Sequence, residues 1–106
     1  MSHTVRFAPQ ALAQLDTIED YILHAGSPRT AARYVEAIVS YCESLATFPH
    51  RGMQRDDLLP GLRITNYRHS AVIAFLVDDE AKSVSIIGVF YGGQDYEAVL
   101  PDLSDG

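Results

Sequence analysis

An α+β fold, with a two-helix antiparallel hairpin packed on one face of a mostly antiparallel four-stranded sheet, is what this sequence predicts. Three observations carry that expectation. Residues 62 to 91 read as a three-strand block, Leu62 to Tyr67, Ala71 to Val77 and Val84 to Tyr91. Two stretches upstream repeat apolar residues at three- and four-residue spacing, the period of amphipathic helices. A short alternating segment, His3 to Phe7, precedes them. The predicted order is β-α-α-β-β-β in a single domain over residues 1–106, because a chain of 106 residues supports one core and not two.

In His3 to Phe7, Val5 and Phe7 share one face and Thr4 and Arg6 the other, as in a strand. Pro9 suits a first helical position, where its missing N–H has no partner to lose, while Ala8 offers no capping oxygen. Leu12, Leu15, Ile18 and Ile22 form the apolar stripe of a helix over 9–24, with Asp16 and Asp20 on the far side. Gly26 is the expected left-handed stop, Ser27 the cap and Pro28 the start of a second helix, which ends before Pro49. Its stripe is Ala31, Val35, Ile38, Cys42 and Leu45, broadened by Tyr34, Tyr41 and Phe48. So short a link makes the two helices antiparallel. Residues 49 to 61 read as a long irregular loop, and Asp78 to Lys82 as a hairpin turn. After Tyr91 come Gly92-Gly93-Gln94-Asp95, a helical turn at Tyr96 to Leu100, and a frayed tail at 101–106.

The middle strand carries the main clue. Ala71 to Val77 is apolar at every position, and a strand written that way expects cover on both faces. Two helices shelter only one face of a small sheet. A partner outside the chain is therefore expected on the other, although strand parity leaves open which face that is.

Composition narrows the function classes. No apolar run is long enough to span a membrane, and the N-terminus enters a strand-like stretch with no signal-peptide pattern. One cysteine, Cys42, excludes an internal disulfide and fits a reducing cytoplasm. It lies on the apolar stripe, where packing is its simplest role. The net charge of −6 argues against strong nucleic-acid binding through phosphates. Yet residues 50 to 69 hold Arg51, Arg55, Arg63 and Arg68 against only Asp56 and Asp57, a local basic surface suited to an acidic partner. His50 and His69 have no carboxylate or cysteine nearby at ligand spacing, and neither a metal nor a cofactor is expected.

Several runs, in order, resemble the ParE/RelE superfamily of toxins from type II toxin–antitoxin modules. They are Phe7-Ala8-Pro9-Gln10-Ala11-Leu12-Ala13-Gln14-Leu15, Ile18-Glu19-Asp20-Tyr21-Ile22, Tyr34, Phe48-Pro49-His50-Arg51-Gly52-Met53-Gln54-Arg55-Asp56-Asp57-Leu58, Pro60-Gly61-Leu62-Arg63, Tyr67-Arg68-His69 and Tyr91-Gly92-Gly93-Gln94-Asp95-Tyr96. The likeness covers about residues 4 to 100 and favours the ParE branch. It implies a toxin that stalls DNA gyrase without catalytic machinery, silenced by direct binding of a ParD-like antitoxin in a hetero-oligomer. Two departures stand out. Ala8 replaces the family's usual Ser or Thr cap, and Tyr91-Gly92-Gly93-Gln94 stands where His-Gly-Arg is frequent. RelE-type relatives instead cut messenger RNA on the ribosome, using Lys and Arg around a phosphorane-like transition state. Here Val72 replaces one of their arginines, and the substitute set would be His69, Arg63, Arg68 and Tyr91. A third alternative is an inert module that binds antitoxin but has no target.

The antitoxin contact expected from this resemblance comprises Tyr34, Tyr41, Arg55, Leu58, Arg63, Tyr67, Arg68, Val72, Ala74, Leu76, Ile87 and Val89. Arg51, Arg55, Tyr91, Asp95 and Tyr96 are the expected target contacts. Against these stand blander roles. Tyr34 and Tyr41 also suit the core, Arg63 a solvated edge, and Asp56 and Asp57 local closure of their loop.

Overall fold

The structure, a computed structural model, describes residues 3–103. Its elements are β1 (Thr4–Phe7), α1 (Pro9–Ala25), α2 (Pro28–Glu43), a 3-10 turn at Ser44–Ala46, β2 (Met53–Gln54), β3 (Leu62–Tyr67), β4 (Ala71–Asp78), β5 (Ser83–Tyr91) and α3 (Tyr96–Leu103). The sheet order is β1-β5-β4-β3-β2. β1 runs parallel to β5, and the other neighbours are antiparallel. The sheet has five strands where four are expected. The addition is β2, inside the stretch read as irregular, and two residues are too few to show a period.

Gly52 makes β2 possible. Its φ is +84°, a region side chains resist, and a Cβ there would lie 2.4 Å from the Ile64 carbonyl oxygen. Only glycine lets this segment close onto β3.

The helix ends follow their chemistry. Ala8 leaves α1 without a side-chain cap, whereas Ser27 Oγ accepts the Thr30 N–H at 3.2 Å and caps α2. Gly26 departs from the left-handed stop expected of it: its φ is −148°, and its N–H closes α1 by donating to the Ile22 carbonyl at 2.8 Å. At the other end of the chain, residues 101 to 103 continue α3 instead of fraying; residues 104–106 of the expected tail lie outside the described residues.

The helical hairpin buries Ala11, Leu15, Ile18, Ile38, Cys42 and Leu45 against Tyr67, Ile73, Phe75, Val84, Ile86 and Val89 of the sheet. Burial pushes the Cys42 thiol up to about 12, with Glu43 adding to the shift, so the group is a packed neutral thiol at physiological pH. A bulge then changes which β5 residues face the helices. Ala74 pairs with Gly88 and Phe75 with Ile86, leaving Ile87 unopposed. Before the bulge Val84 and Ile86 face the hairpin; after it Val89 and Tyr91 do. Gln14 Oε1 accepts the Val89 N–H at 2.7 Å, so α1 supplies an acceptor where the ladder is disturbed.

The far end of the sheet is tied by Asp79, whose Oδ1 accepts from His3 Nε2 at 3.0 Å and His50 Nε2 at 3.1 Å. These contacts, led by the His3 hydrogen bond, hold the Asp79 carboxyl below the usual carboxylate range. The bridge joins the start of β1, the segment before β2 and the β4–β5 turn.

Gly52→Ala is expected to destabilise the fold by roughly 1–3 kcal/mol, from a strained φ plus backbone displacement at Ile64. Chemical denaturation checks this. An unchanged midpoint would show that β2 closes without the glycine.

Candidate partner-binding surfaces

Along β4, side chains alternate between two apolar layers: Ala71, Ile73 and Phe75 face the hairpin, while Val72, Ala74 and Leu76 face away. The outward face is therefore the one bearing Val72, Leu76 and, at the bulge, Ile87. It is not left bare. Leu100 of α3 is fully buried there with Leu62, Ile64, Ala74 and Phe90, and Leu58, Leu59 and Tyr96 pack around them. Part of the cover expected from a foreign chain is thus supplied by the molecule's own C-terminal helix. Val72, Leu76 and Ile87 remain half-buried beside it.

Arg55 fastens that helix. Its Nε and Nη2 donate to the Asp57 carboxylate at 3.0 and 2.8 Å, and Nη2 also reaches Glu97 Oε2 of α3 at 2.7 Å. The Asp57 hydrogen bond leads in raising the guanidinium and in lowering the carboxyl. Arg55, expected at both the antitoxin and the target contact, is therefore already engaged by the chain's own acids. Asp95 is likewise engaged at the start of α3, its Oδ1 accepting the Ala98 N–H at 3.3 Å, and Tyr96 packs on Phe90 at 6.0 Å between ring centroids. Asp56 closes the preceding loop by accepting the Gly61 N–H at 2.8 Å.

Two expected antitoxin contacts do not stand on a surface. Ala74 is fully buried under α3, and Val89 is fully buried beneath the hairpin. Strict alternation along β5 puts Val89 with Ile87; the bulge puts it on the opposite side.

The remaining expected contacts lie across the sheet, where tyrosines form a row. Tyr21 of α1 meets Tyr91 of β5 at 5.8 Å, Tyr91 meets Tyr34 of α2 at 5.5 Å, Tyr34 meets Tyr67 of β3 at 6.1 Å, and Tyr67 meets Tyr41 at 5.4 Å, all edge-to-face. Arg51 lies over Tyr41 and Phe48, and Arg68 over Tyr67. Hydroxyls anchor the row to the sheet: Tyr41 bonds Thr65 Oγ1 at 2.9 Å, and Tyr34 donates to Ser70, which in turn donates to the Tyr67 carbonyl. Burial pushes the Tyr34 phenol up, against the effect of the Ser70 bond. Tyr67 is only 7% exposed, a core member with its edge toward the row. The twelve residues expected at one antitoxin contact are thus divided between opposite faces of the sheet.

The residues considered for RNA cleavage do not share a cleft. Arg63 Nη1 donates to the backbone carbonyls of His50 and Arg51 at 2.9 and 3.3 Å, which fixes the segment leading to β2. Arg68 lines a cleft with Tyr34, whereas Tyr91 lines another with Gln14 and Tyr21. His69 sits exposed at the β3–β4 turn. Among the described residues no three His, Cys, Asp or Glu side chains are placed to hold a metal ion. Gln14, Leu59, Ser70, Glu97 and Leu100 escaped the sequence reading. Each acts through a partner remote in the chain, and no local spacing marks such pairs.

Residues 5–96 match the family model described as the ParE toxin of the type II toxin–antitoxin system, parDE. Among solved structures, the chain is similar to one from the chromosomal ParDE system of P. aeruginosa, with 23% identity, TM-score 0.73, and coverage of 85% of this chain and 96% of that one. It is also similar to one from the toxin–antitoxin complex RelBE2 of Mycobacterium tuberculosis, at 24% identity, TM-score 0.59, and coverage of 87% and 100%. A doubly substituted E. coli RelE in the free state gives 16% identity, TM-score 0.67, and 98% coverage of both chains. No curated protein sequence matches. At these identities the solved structures speak to the fold.

Arg55→Ala is expected to loosen α3, seen as several-fold faster amide hydrogen exchange at Val99 and Leu100 with β3–β5 unchanged. The parent should loosen in acid too. Because the folded state lowers the Asp57 carboxyl, its contribution is present above the ordinary value of about 3.9 and lost as pH falls through the lower folded one. Equal exchange in parent and variant would remove Arg55 from this role.

Proposed function

Because the chain belongs to the ParE toxin family of type II toxin–antitoxin systems, we propose that it inhibits DNA gyrase and is neutralised by a cognate ParD-like antitoxin bound directly to it in a hetero-oligomer. In this reading the toxin is a cytoplasmic binding protein with no catalytic chemistry of its own. It acts by occupying a surface of its target, which asks for shape and side-chain contacts, not for a nucleophile.

The observation that carries the antitoxin half is the incompletely covered sheet face. Val72, Leu76 and Ile87 are half-buried beside α3 and Leu58, an apolar strip of the kind an amphipathic segment covers. Completing their burial favours association by several kcal/mol at about 25 cal/mol per Å². The target half is supported by the tyrosine row on the opposite side, where Arg51 and Tyr91 from the expected target set lie, although Asp95 and Tyr96 belong to the α3 side. Two binding events on two faces fit a toxin that has separate target and antitoxin partners. The engagement of Arg63 with backbone carbonyls, and its pairing with Phe75 while Tyr91 pairs with Ala71 at the other end of β4, favour this reading over a ribonuclease.

Induction of the protein alone is expected to stop growth and raise chromosomal double-strand breaks without new codon-phased transcript ends, and co-expression of the antitoxin is expected to restore growth. Leu76→Asp should weaken antitoxin binding at least about tenfold and prevent rescue. Codon-phased transcript ends would replace gyrase with the ribosome as target. Absence of any growth defect would leave an inert antitoxin-binding module.

A further inference from the structure

Two arginines face one cleft with no acid to balance them. Arg33 of α2 and Arg68 of the β3–β4 turn line a cleft of about 270 Å³ with Thr30, Tyr34, Ala37 and Tyr67. Among the described residues neither guanidinium has a carboxylate within ion-pair distance; the arginine ion pairs are those of Arg55 with Asp57 and Glu97. Arg68 stacks instead on Tyr67, 5.5 Å from the ring centroid. On a chain of net charge −6, two unneutralised guanidiniums on one cleft form a local positive site that an incoming anion relieves.

The turn presenting Arg68 is strained and hydrogen-bonded in place. Arg68 and His69 have φ of 47° and 61°, successive left-handed positions where Asn-Gly is the favoured pair. The Ser70 N–H donates to the Tyr67 carbonyl at 3.0 Å, and the Gly92 N–H to the Ser70 carbonyl at 3.2 Å. Tyr34 holds the Ser70 hydroxyl from the helix side. Arg68 therefore starts from a fixed backbone, which lowers the ordering cost of binding.

The class of anion follows from what surrounds the charges. Tyr34 and Tyr67 meet edge-to-face, with Ala37 beside them, and offer an apolar wall next to the cations. A nucleic-acid strand needs a track of cations for successive phosphates. Beyond the cleft, α2 exposes Arg29 one turn before Arg33 but Glu36 and Glu43 after it, so the cations do not continue along the helix. One carboxylate with an aromatic neighbour fits better than a polyphosphate chain.

We propose that this cleft docks an acidic, aromatic-containing peptide segment of a partner polypeptide, its carboxylate between Arg33 and Arg68 and its apolar side chain against Tyr34 and Tyr67. The site lies on the hairpin side of the sheet, so it stays accessible when the α3 side is occupied.

The test is an amide NMR titration of the full chain with a short synthetic peptide alternating glutamate and phenylalanine. Saturable shifts are expected at Tyr34, Tyr67 and Arg68. Affinity should fall about tenfold or more in the double variant Arg33→Gln/Arg68→Gln, and similarly when glutamine replaces glutamate in the peptide. Arg33 makes no hydrogen bond or ion pair among the described residues, so Arg33→Gln alone gives a variant whose fold is not at issue, with a smaller loss in the same direction. Shifts centred elsewhere, no saturation, or parent-like binding by the double variant would overturn the proposal. So would a single-stranded oligothymidylate that saturates these residues more tightly than the peptide. The titration uses neither antitoxin nor gyrase, so its failure leaves the toxin reading standing, and failure of that reading leaves the cleft.

Discussion

A β-strand with an unbroken apolar run must be sheltered twice, and β4, apolar from Ala71 to Val77, is such a strand. Ile73 and Phe75 are covered by the helical hairpin, Ala74 by α3, and neither cover suffices alone. The chain meets the second requirement with eight residues of helix and two leucines from the loop before β3. So short a helix has little stability by itself. It depends on Leu100 in the apolar layer and on the Arg55–Glu97 contact at its start. The same economy leaves Val72, Leu76 and Ile87 half-sheltered.

The arginines divide by whether the chain already satisfies them. Arg55 and Arg63 are structural, one clamping α3 to its loop and the other holding backbone carbonyls ahead of β2. Arg51 and Arg68 rest on aromatic rings with their charge still available. A basic stretch on an acidic chain is thus not one surface. Its cations point to both sides of the sheet, and only those beside the tyrosine row remain open to a partner.

Much of the fold was legible because its signals are periodic. The helical spacing of Leu15, Ile18 and Ile22, the Ser27-Pro28 start and the three-strand block all reappear in the structure. The family followed from runs such as Phe48 to Leu58, which the match over residues 5–96 covers. What escaped has no local period. β2 is two residues long, the bulge at Ile87 reverses the facing of Val89 without altering composition, and α3 is defined by where Leu100 lands. The candidate surface suffered most, since one inserted residue moved part of it to the other side of the sheet. Long-range pairs such as Arg55 with Glu97, or Gln14 with Val89, join positions that no spacing rule connects.

The central claim is that the incompletely sheltered side of the sheet, beside α3, receives the antitoxin. Methyl NMR with a soluble paramagnetic agent measures it directly, by comparing relaxation enhancement at Val72, Leu76 and Ile87 in the free protein and in its antitoxin complex. The account predicts clear enhancement of all three when free and strong suppression in the complex, with Ile73 and Val89 silent in both states. An antitoxin that binds tightly while those three methyls stay as accessible as before would contradict it.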